Sequence, residues 1–287
     1  PILIGAEKRI KEQLKKIGLD ENHKIEIVNS TDKEKREKYV KHLYKRLQRE
    51  GQLERDVDRL VRNDRIAWGS SMIACKDADA MVTGNIRHYT ASIEKLRKVV
   101  DPRPGEEIFG MTMINSKGKT VLVADTNVKD FPSAERLSNV SKSCVRVARL
   151  FGFDPKVAFL SHSTFGKPIS KNTKHVRDAI DILKKEKVDF DFDGEMQPDV
   201  ALNPIYQDIY PFSKIVGRAN ILIMPALHSA AISTKLMKVY GDAKLIGPLL
   251  IGLGLPIEVA PLRSSTSDIL NLASIAAYSS DIIDYSN

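Results

Sequence analysis

Hydroxyl, imidazole and ammonium side chains are concentrated in one short segment, which contains Ser161, His162, Ser163, Thr164 and Lys167. These groups, with the amide of Gly166, are donors suited to an anionic oxygen, most of all a phosphate oxygen. The four apolar residues before them, 157–160, predict a buried strand because the run is too short for a helix. Two interpretations stay open: a ligand site at the carboxyl end of a parallel strand, or a capped turn that leads into the next helix.

Two carboxylates follow the next predicted strand, residues 188–192. Asp193 and Glu195 are separated by one glycine, and paired acids can bind a metal ion, orient a hydroxyl or act as acid and base. Alternatively, Asp193 is a turn residue and Glu195 is an acid at a helix start, where it suits the helix dipole. We favour a role in a site because three successive strand ends carry polar residues.

The third strand end belongs to the predicted strand 219–224. Asn220 lies in that strand, His228 and Lys235 follow it, and Asp268 opens the last predicted helix. Strands alternate with helices of ten to fifteen residues along the chain, which predicts an α/β fold with mostly parallel sheets covered on both faces. Such a fold would bring these residues to one sheet edge.

Composition narrows the possible functions. The chain has 287 residues, 42% of them hydrophobic and 29% charged, and its two cysteines form no metal-ligand spacing or disulfide framework. We therefore expect a cytoplasmic protein without a metal site. The net charge of +8 comes from mixed acids and bases without interleaved aromatics, so nucleic-acid binding is not expected. The apolar stretches are broken by Gly and Pro, so a membrane span is not expected either. Dinucleotide and P-loop glycine motifs are absent.

Several longer segments together carry a family resemblance: DADAMVTG, DTNVKDFPSAERL, DPKVAFLSHSTFG, DGEMQPDVAL, ANILIMPALHSA, GPLLIGL and DILNLASIAA. In this order they resemble the phosphate acetyltransferase (phosphotransacetylase) family, whose members transfer an acetyl group between coenzyme A and phosphate. The resemblance implies two α/β/α lobes of the isocitrate/isopropylmalate dehydrogenase type, with a cleft between them and dimers formed through the second lobe. We expect residues 1–133 and 267–287 in the first lobe and 134–266 in the second.

The chain departs from that family where the reaction takes place. In active members the strand before the last helix ends in a Ser-Arg pair, six residues before an Asp that corresponds to Asp268. The Ser and Arg positions hold Pro261 and Leu262 here, and a family arginine falls on Glu94. Because the loss of one preorganised group costs on the order of 100- to 1000-fold in rate, we expect no catalytic residue in this chain.

A phosphotransacetylase-like sequence without its catalytic pair looks like the carboxyl-terminal domain of the large bacterial NADP-dependent malic enzymes. We expect the chain, which begins with Pro1 inside a predicted strand, to continue a longer polypeptide. That resemblance implies an amino-terminal malic enzyme domain, which oxidises malate to pyruvate and carbon dioxide with NADP and Mg²⁺ or Mn²⁺. No cofactor is expected in the present segment, and the parent is expected to form homo-oligomers.

Three hypotheses follow. In the first, acetyl-CoA or a related CoA ester binds in the cleft and regulates the assembly. Ser163 and Thr164 would then bind phosphate or carbonyl oxygen, Lys167 and Lys235 the CoA phosphates, and Asp268 would hold the loop. In the second, the chain is an active phosphate acetyltransferase whose missing groups come from residues 263–265. In the third, it is a structural dimerisation module.

Overall fold

The computed structural model describes residues 1–19, 24–125, 130–168 and 170–282. Its strands are β1 (Ile2–Ile4), β2 (Glu26–Val28), β3 (Met81–Gly84), β4 (Phe109–Ser116), β5 (Lys119–Ala124), β6 (Lys156–Leu160), β7 (Asp191–Met196), β8 (Ile221–Ile223), β9 (Lys244–Ile251) and β10 (Ile257–Ala260). Its helices are α1 (Glu7–Lys16), α2 (Lys33–Leu47), α3 (Glu54–Asn63), α4 (Arg65–Ala74), α5 (Tyr89–Val99), α6 (Ala134–Leu150), α7 (Lys174–Glu186), α8 (Pro198–Leu202), α9 (Leu227–Tyr240) and α10 (Thr266–Ile282).

Three sheets organise the described residues. Six strands form the largest sheet in the order β7-β6-β8-β5-β4-β9, and two pairs, β1-β2 and β10-β3, form the smaller ones. Pairing is parallel except where β4 meets β5 and β9. The α/β fold with mostly parallel sheets, as predicted, is confirmed.

Both faces of the six-stranded sheet are covered. One face packs Phe159 and Ile221 against side chains of α6, α7 and α10. The other face packs Ala158 and Leu222 against α8 and α9. A third apolar cluster unites α2, α3, α4 and α5 with β10 around the fully buried Trp68. Burial of these apolar faces is the main favourable term in folding.

Strand pairing joins elements on both sides of the predicted lobe boundaries. The hairpin β4-β5, which precedes residue 134, joins the six-stranded sheet through β8 and β9, and β10, which precedes residue 267, pairs with β3. Hydrophobic periodicity identifies strands but does not reveal their partners, because partners are separated by long stretches of chain. The division into two lobes, with residues 1–133 and 267–287 in the first and 134–266 in the second, stays a prediction.

One predicted helix is two helices. The pattern from Glu54 to Cys75 predicts continuous helix, but α3 ends at Asn63 and α4 begins at Arg65. Asp64 between them has extended backbone (φ −116°, ψ 115°), and its carboxylate accepts the N–H of Ile66 at 2.8 Å. Aspartate favours such an N-cap over a helix interior because its carboxylate satisfies an amide left free at the helix start.

Candidate functional site

The segment after β6 folds into a tight turn at the carboxyl edge of the six-stranded sheet. Thr164 and Lys167 exchange two backbone hydrogen bonds of 2.8 and 3.1 Å, and the two residues between them, Phe165 and Gly166, have positive φ of 48° and 86°. Glycine adopts that conformation without steric cost. The predicted strand and polar turn are therefore present, and Lys167 and His162 have exposed side chains.

Glu195 organises this turn from within. Its Oε1 accepts hydrogen bonds from the hydroxyl of Ser163 (2.8 Å), the amide of Gly166 (3.1 Å) and the guanidinium of Arg177 (3.1 Å). Glu195 is 1% exposed and Ser163 is fully buried. Both side chains therefore hold the turn together, and the predicted roles of Ser163 in binding phosphate and of Glu195 in a site stay predictions.

Asp193 also has a positioning contact. Its Oδ2 accepts the amide of Lys214 at 2.7 Å, which fixes the loop before β8. Asp193 and Glu195 lie inside β7, which runs to Met196, and not in a loop after it as predicted. The register of β7 against β6 shifts at Glu195, and both carboxylates have hydrogen-bond partners.

Asn220 lies at the opposite edge of the sheet. Its side chain accepts the amide of Lys156 (2.8 Å) and donates to the carbonyl of Asp154 (2.6 Å). Lys156 is the first residue of β6, so this amide joins the amino ends of β6 and β8. The structure thus does not bring Asn220 together with the other predicted site residues.

The remaining predicted residues are spread over three elements. His228, in the first turn of α9, is exposed and lies beside Phe131, with ring centroids 5.7 Å apart. Lys235 is exposed two turns further along α9. Ser161 is buried with its hydroxyl 3.2 Å from that of Ser163, and the hydroxyl of Thr164 accepts the amide of Gln197 at 3.2 Å. His162, Thr164, Lys167 and His228 remain accessible at the carboxyl edge.

Asp268 caps the last helix. Its Oδ2 accepts the amide of Ser265 at 2.9 Å, and its own amide donates to the hydroxyl of Ser265 at 3.1 Å. This reciprocal pair is a capping box, which satisfies two amides at the start of α10. The role predicted for Asp268, to hold loop geometry, agrees with these contacts, while a ligand contact stays a prediction.

The turn between β10 and α10 contains Pro261 and Leu262, which are predicted to replace the Ser-Arg pair. Leu262 is 46% exposed, and the amide of Arg263, which has φ of 61°, donates to the carbonyl of Asn85 at 3.2 Å. The hydroxyl of Ser264 donates back to the carbonyl of Pro261 at 2.9 Å. Since β10 and β3 are parallel, this turn lies beside the loop that follows β3.

Two charged groups at the carboxyl end of β5 were missed by sequence reasoning. Asp125 is 4% exposed and accepts the amide of Gly110 (3.0 Å) and the guanidinium of Arg136 (3.1 Å). Arg136 and Arg177 both lie in the first turns of helices, where a cation opposes the helix dipole. That unfavourable placement is a signal that each is held by a carboxylate.

Two cavities lie away from the turn after β6. A cavity of about 40 Å³ is enclosed by α6, α10 and the ends of β9 and β10, and one of about 250 Å³ opens where β1 and β2 end. Neither is lined by the turn at residues 161–168. Within the described ranges, no group of three metal-ligating side chains could hold a metal ion, and no helix is long and apolar enough to cross a bilayer.

Comparison with known proteins shows which family the chain belongs to. The sequence-family model for phosphate acetyl/butaryl transferases matches residues 1–277. The chain belongs to this family. Two solved relatives share its fold: a phosphotransacetylase from Streptococcus pyogenes (28% identity, TM-score 0.86) and the EutD phosphotransacetylase from Staphylococcus aureus (26%, 0.85), each covering 98% of this chain and 86% of its own. The relation to isocitrate and isopropylmalate dehydrogenases stays a prediction.

Curated relatives fall into two groups. The NADP-dependent malic enzyme of Rhizobium meliloti is 44% identical over 278 residues, which is 96% of this chain but 36% of that protein. The phosphate acetyltransferase of Clostridium acetobutylicum is 29% identical, over 96% of this chain and 84% of its own length. The chain thus spans about a third of the malic enzymes it resembles, and the predicted resemblance to both groups is confirmed.

Proposed function

We propose that this chain is the phosphotransacetylase-like domain of an NADP-dependent malic enzyme, that it binds acetyl-CoA or a related CoA ester as an allosteric effector, and that it does not transfer acetyl groups. The parent would carry an amino-terminal domain that oxidises malate with NADP and a divalent metal. The 44% identity to the R. meliloti malic enzyme supports the first part.

The residues of the turn after β10 are the main argument against acetyl transfer by this chain. Pro261 has no hydroxyl and Leu262 no charge, and the nearest hydroxyls are engaged, with Ser264 bonded to the carbonyl of Pro261 and Ser265 in the capping box of Asp268. An oxyanion or phosphate at this turn would meet only Arg263 as a cation of the turn, one position beyond the family's arginine. Transition-state stabilisation needs donors aimed at the developing charge, so binding without turnover fits these residues.

Effector binding is supported by the accessible groups at the carboxyl edge. Hydrogen-bond donors are available there from Thr164, His162 and His228. Positive charge comes from Lys167 and, further along α9, from Lys235. A CoA ester is a polyanion, and several cationic contacts spread over two elements can hold it without any group at the reacting atom. To regulate the parent, acetyl-CoA must bind two states of the assembly with different affinities.

Thermal unfolding in the presence of acetyl-CoA tests the binding. A ligand present at 100 times its dissociation constant stabilises a protein by about 2.7 kcal/mol, which for a domain of this size raises Tm by roughly 5 °C or more. Lys167→Gln should reduce the shift, and Lys185→Gln, an exposed lysine at the far end of α7, should leave it unchanged. Absence of any shift at saturating acetyl-CoA would contradict the effector proposal.

An assay of acetyl phosphate formation from acetyl-CoA and phosphate tests the loss of catalysis. We expect no turnover above background, with the C. acetobutylicum phosphate acetyltransferase as the positive control. Turnover at an ordinary enzymatic rate would favour the alternative, an active acetyltransferase that uses residues 263–265. In the parent, acetyl-CoA should change the rate of malate oxidation, and removal of this domain should abolish that response.

We propose in addition that the chain forms a homodimer through α9. Ile232, Leu236 and Val239 lie at helical spacing on this helix and are 59%, 52% and 74% exposed. A contiguous apolar face of this kind marks an interaction surface. It also supports the alternative of a structural dimerisation module, which predicts that removal of the domain changes oligomer size but leaves the response to acetyl-CoA intact.

A further inference from the structure

The cavity of about 250 Å³ lies where two parallel strands end. It is walled by the residues after β1 (4–6), those after β2 (29–30), the end of α3 and the start of α4 (61–65), and Trp68. Because β1 and β2 are parallel, their carboxyl ends share this edge, and α4 begins at the same place. Parallel strand ends beside a helix start are a common setting for bound anions.

Three polar groups at the wall have no hydrogen-bond partner among the residues that the structure describes. Trp68 is fully buried, and its indole N–H has no acceptor among the described residues. That N–H is also closed off from solvent, so Trp68 borders the cavity without offering it a donor. The side chains of Asn29 and Ser30 are half-buried and likewise make no hydrogen bond within the part of the chain that the structure describes.

The net charge of the wall is positive. Arg62 and Arg65 are exposed and form no ion pair with a described residue. The one carboxylate in the wall, Asp64, caps α4 and pairs with Lys95, with Arg87 3.9 Å away. Those two cations offset the charge of Asp64, so Arg62 and Arg65 are left to attract an anion.

We propose that this cavity binds a small phosphate monoester. The guanidinium groups of Arg62 and Arg65 neutralise the phosphate, while the hydroxyl of Ser30 and the amide of Asn29 donate to its oxygens. Trp68 lies behind this wall with its indole N–H closed off from solvent, so it reports binding without contacting the ligand. The cavity holds several water volumes of about 30 Å³ each, more than one phosphate group fills, so a short polar chain accompanies the phosphate. The site uses none of the residues assigned to acetyl-CoA and stands independently of that assignment.

Trp68 provides a direct readout, because it is the only tryptophan in the chain. We would titrate the 287-residue chain with inorganic phosphate and with glycerol 3-phosphate while following tryptophan emission, and repeat the titration by calorimetry in any longer polypeptide that contains it. We expect saturable changes with both, and tighter binding of the monoester. Succinate serves as the carboxylate control and should give no saturable change.

Matched variants assign the site. The double variant Arg62→Gln/Arg65→Gln should lower the affinity for glycerol 3-phosphate by at least about tenfold, as expected for the loss of charge-assisted hydrogen bonds. Arg59→Gln removes an equally exposed arginine from the same helix, α3, outside the cavity wall, and should leave binding unchanged. Urea unfolding checks that all variants fold.

Four outcomes would overturn the proposal. The first three are no saturable change at millimolar phosphate or monoester, a double variant that titrates like the parent chain, and an equal response to succinate. The third would mean that the cavity takes carboxylates. The fourth is binding that is lost equally in Arg59→Gln, which would mean a diffuse charge effect and not a built site.

Discussion

Replacement of Glu258 by glutamine tests how β10 tolerates a buried carboxyl group. Glu258 lies in the middle of this strand, is 5% exposed, and its Oε2 accepts the amide of Leu250 at 2.9 Å. Burial raises the pKa of Glu258 from 4.5 to about 8, although the Leu250 N–H opposes the shift. Glutamine keeps an acceptor for that N–H and removes the titration.

The sign and size of the effect follow from proton linkage. Between pH 4.5 and about 8 the folded chain keeps the Glu258 proton and the unfolded chain releases it, so the free energy of unfolding falls as pH rises. Each pH unit is equivalent to about 1.4 kcal/mol. Between pH 4.5 and about 8 the free energy of unfolding falls by at most about 5 kcal/mol. Relaxation of the protein around the charged carboxylate makes the fall smaller than this limit. Below pH 4.5 and above pH 8 this contribution is flat.

Urea unfolding at pH 5 and at pH 8 measures the effect in the parent chain, in Glu258→Gln and in a control, Glu12→Gln, which removes an exposed carboxylate from α1. We expect Glu258→Gln to gain stability over the parent chain as the pH rises from 5 to 8, and the control to follow the parent. An equal pH dependence in Glu258→Gln and the parent would refute the assignment of a buried neutral carboxyl group.

Three further changes test other parts of the structure. Arg177→Met leaves the buried carboxylate of Glu195 without its cation and should lower the free energy of unfolding by about 3–5 kcal/mol in urea, whereas an unchanged value would mean that the turn does not depend on this pair. Leu236→Glu should convert a dimer to a monomer in sedimentation without lowering Tm, because the side chain is exposed, and an unchanged sedimentation coefficient would remove α9 from the interface. Ser265→Ala breaks the capping box with Asp268 and should cost about 1 kcal/mol, measured by thermal unfolding.

Local signals in the sequence predicted the parts of the fold that depend on local chemistry. The apolar run before Ser161 is a buried strand, and the turn Lys117-Gly118, with both φ positive, joins β4 to β5 as the hairpin pattern indicates. Ser133 caps α6 through the amide of Arg136 at 3.2 Å, as expected for a hydroxyl before an apolar periodic stretch. Each of these features is set by residues close together in the chain.

Contacts between distant residues could not be predicted in the same way. The pattern of Ser163 and Glu195 is equally compatible with two ligand contacts and with one internal hydrogen bond across 32 residues, and the structure contains the internal bond. The same holds for Asn220, because a polar residue beside a strand gives the same sequence signal at the amino end and at the carboxyl end. The candidate site lies at the carboxyl ends of the strands, and the residue type alone does not indicate which end of the strand a residue occupies.

The turn after β10 explains how binding and catalysis can be separated in this fold. Its shape is held by the capping box of Ser265 and Asp268, by the bond from Ser264 to the carbonyl of Pro261, and by the bond from the Arg263 amide to Asn85. None of these contacts uses the side chains of Pro261 or Leu262. Those two positions can therefore lose the groups that stabilise a transition state while the turn and α10 keep their places. In the function proposed above, effector affinity depends on the turn after β6 and on α9, so these two substitutions remove turnover and leave the proposed ligand contacts in place.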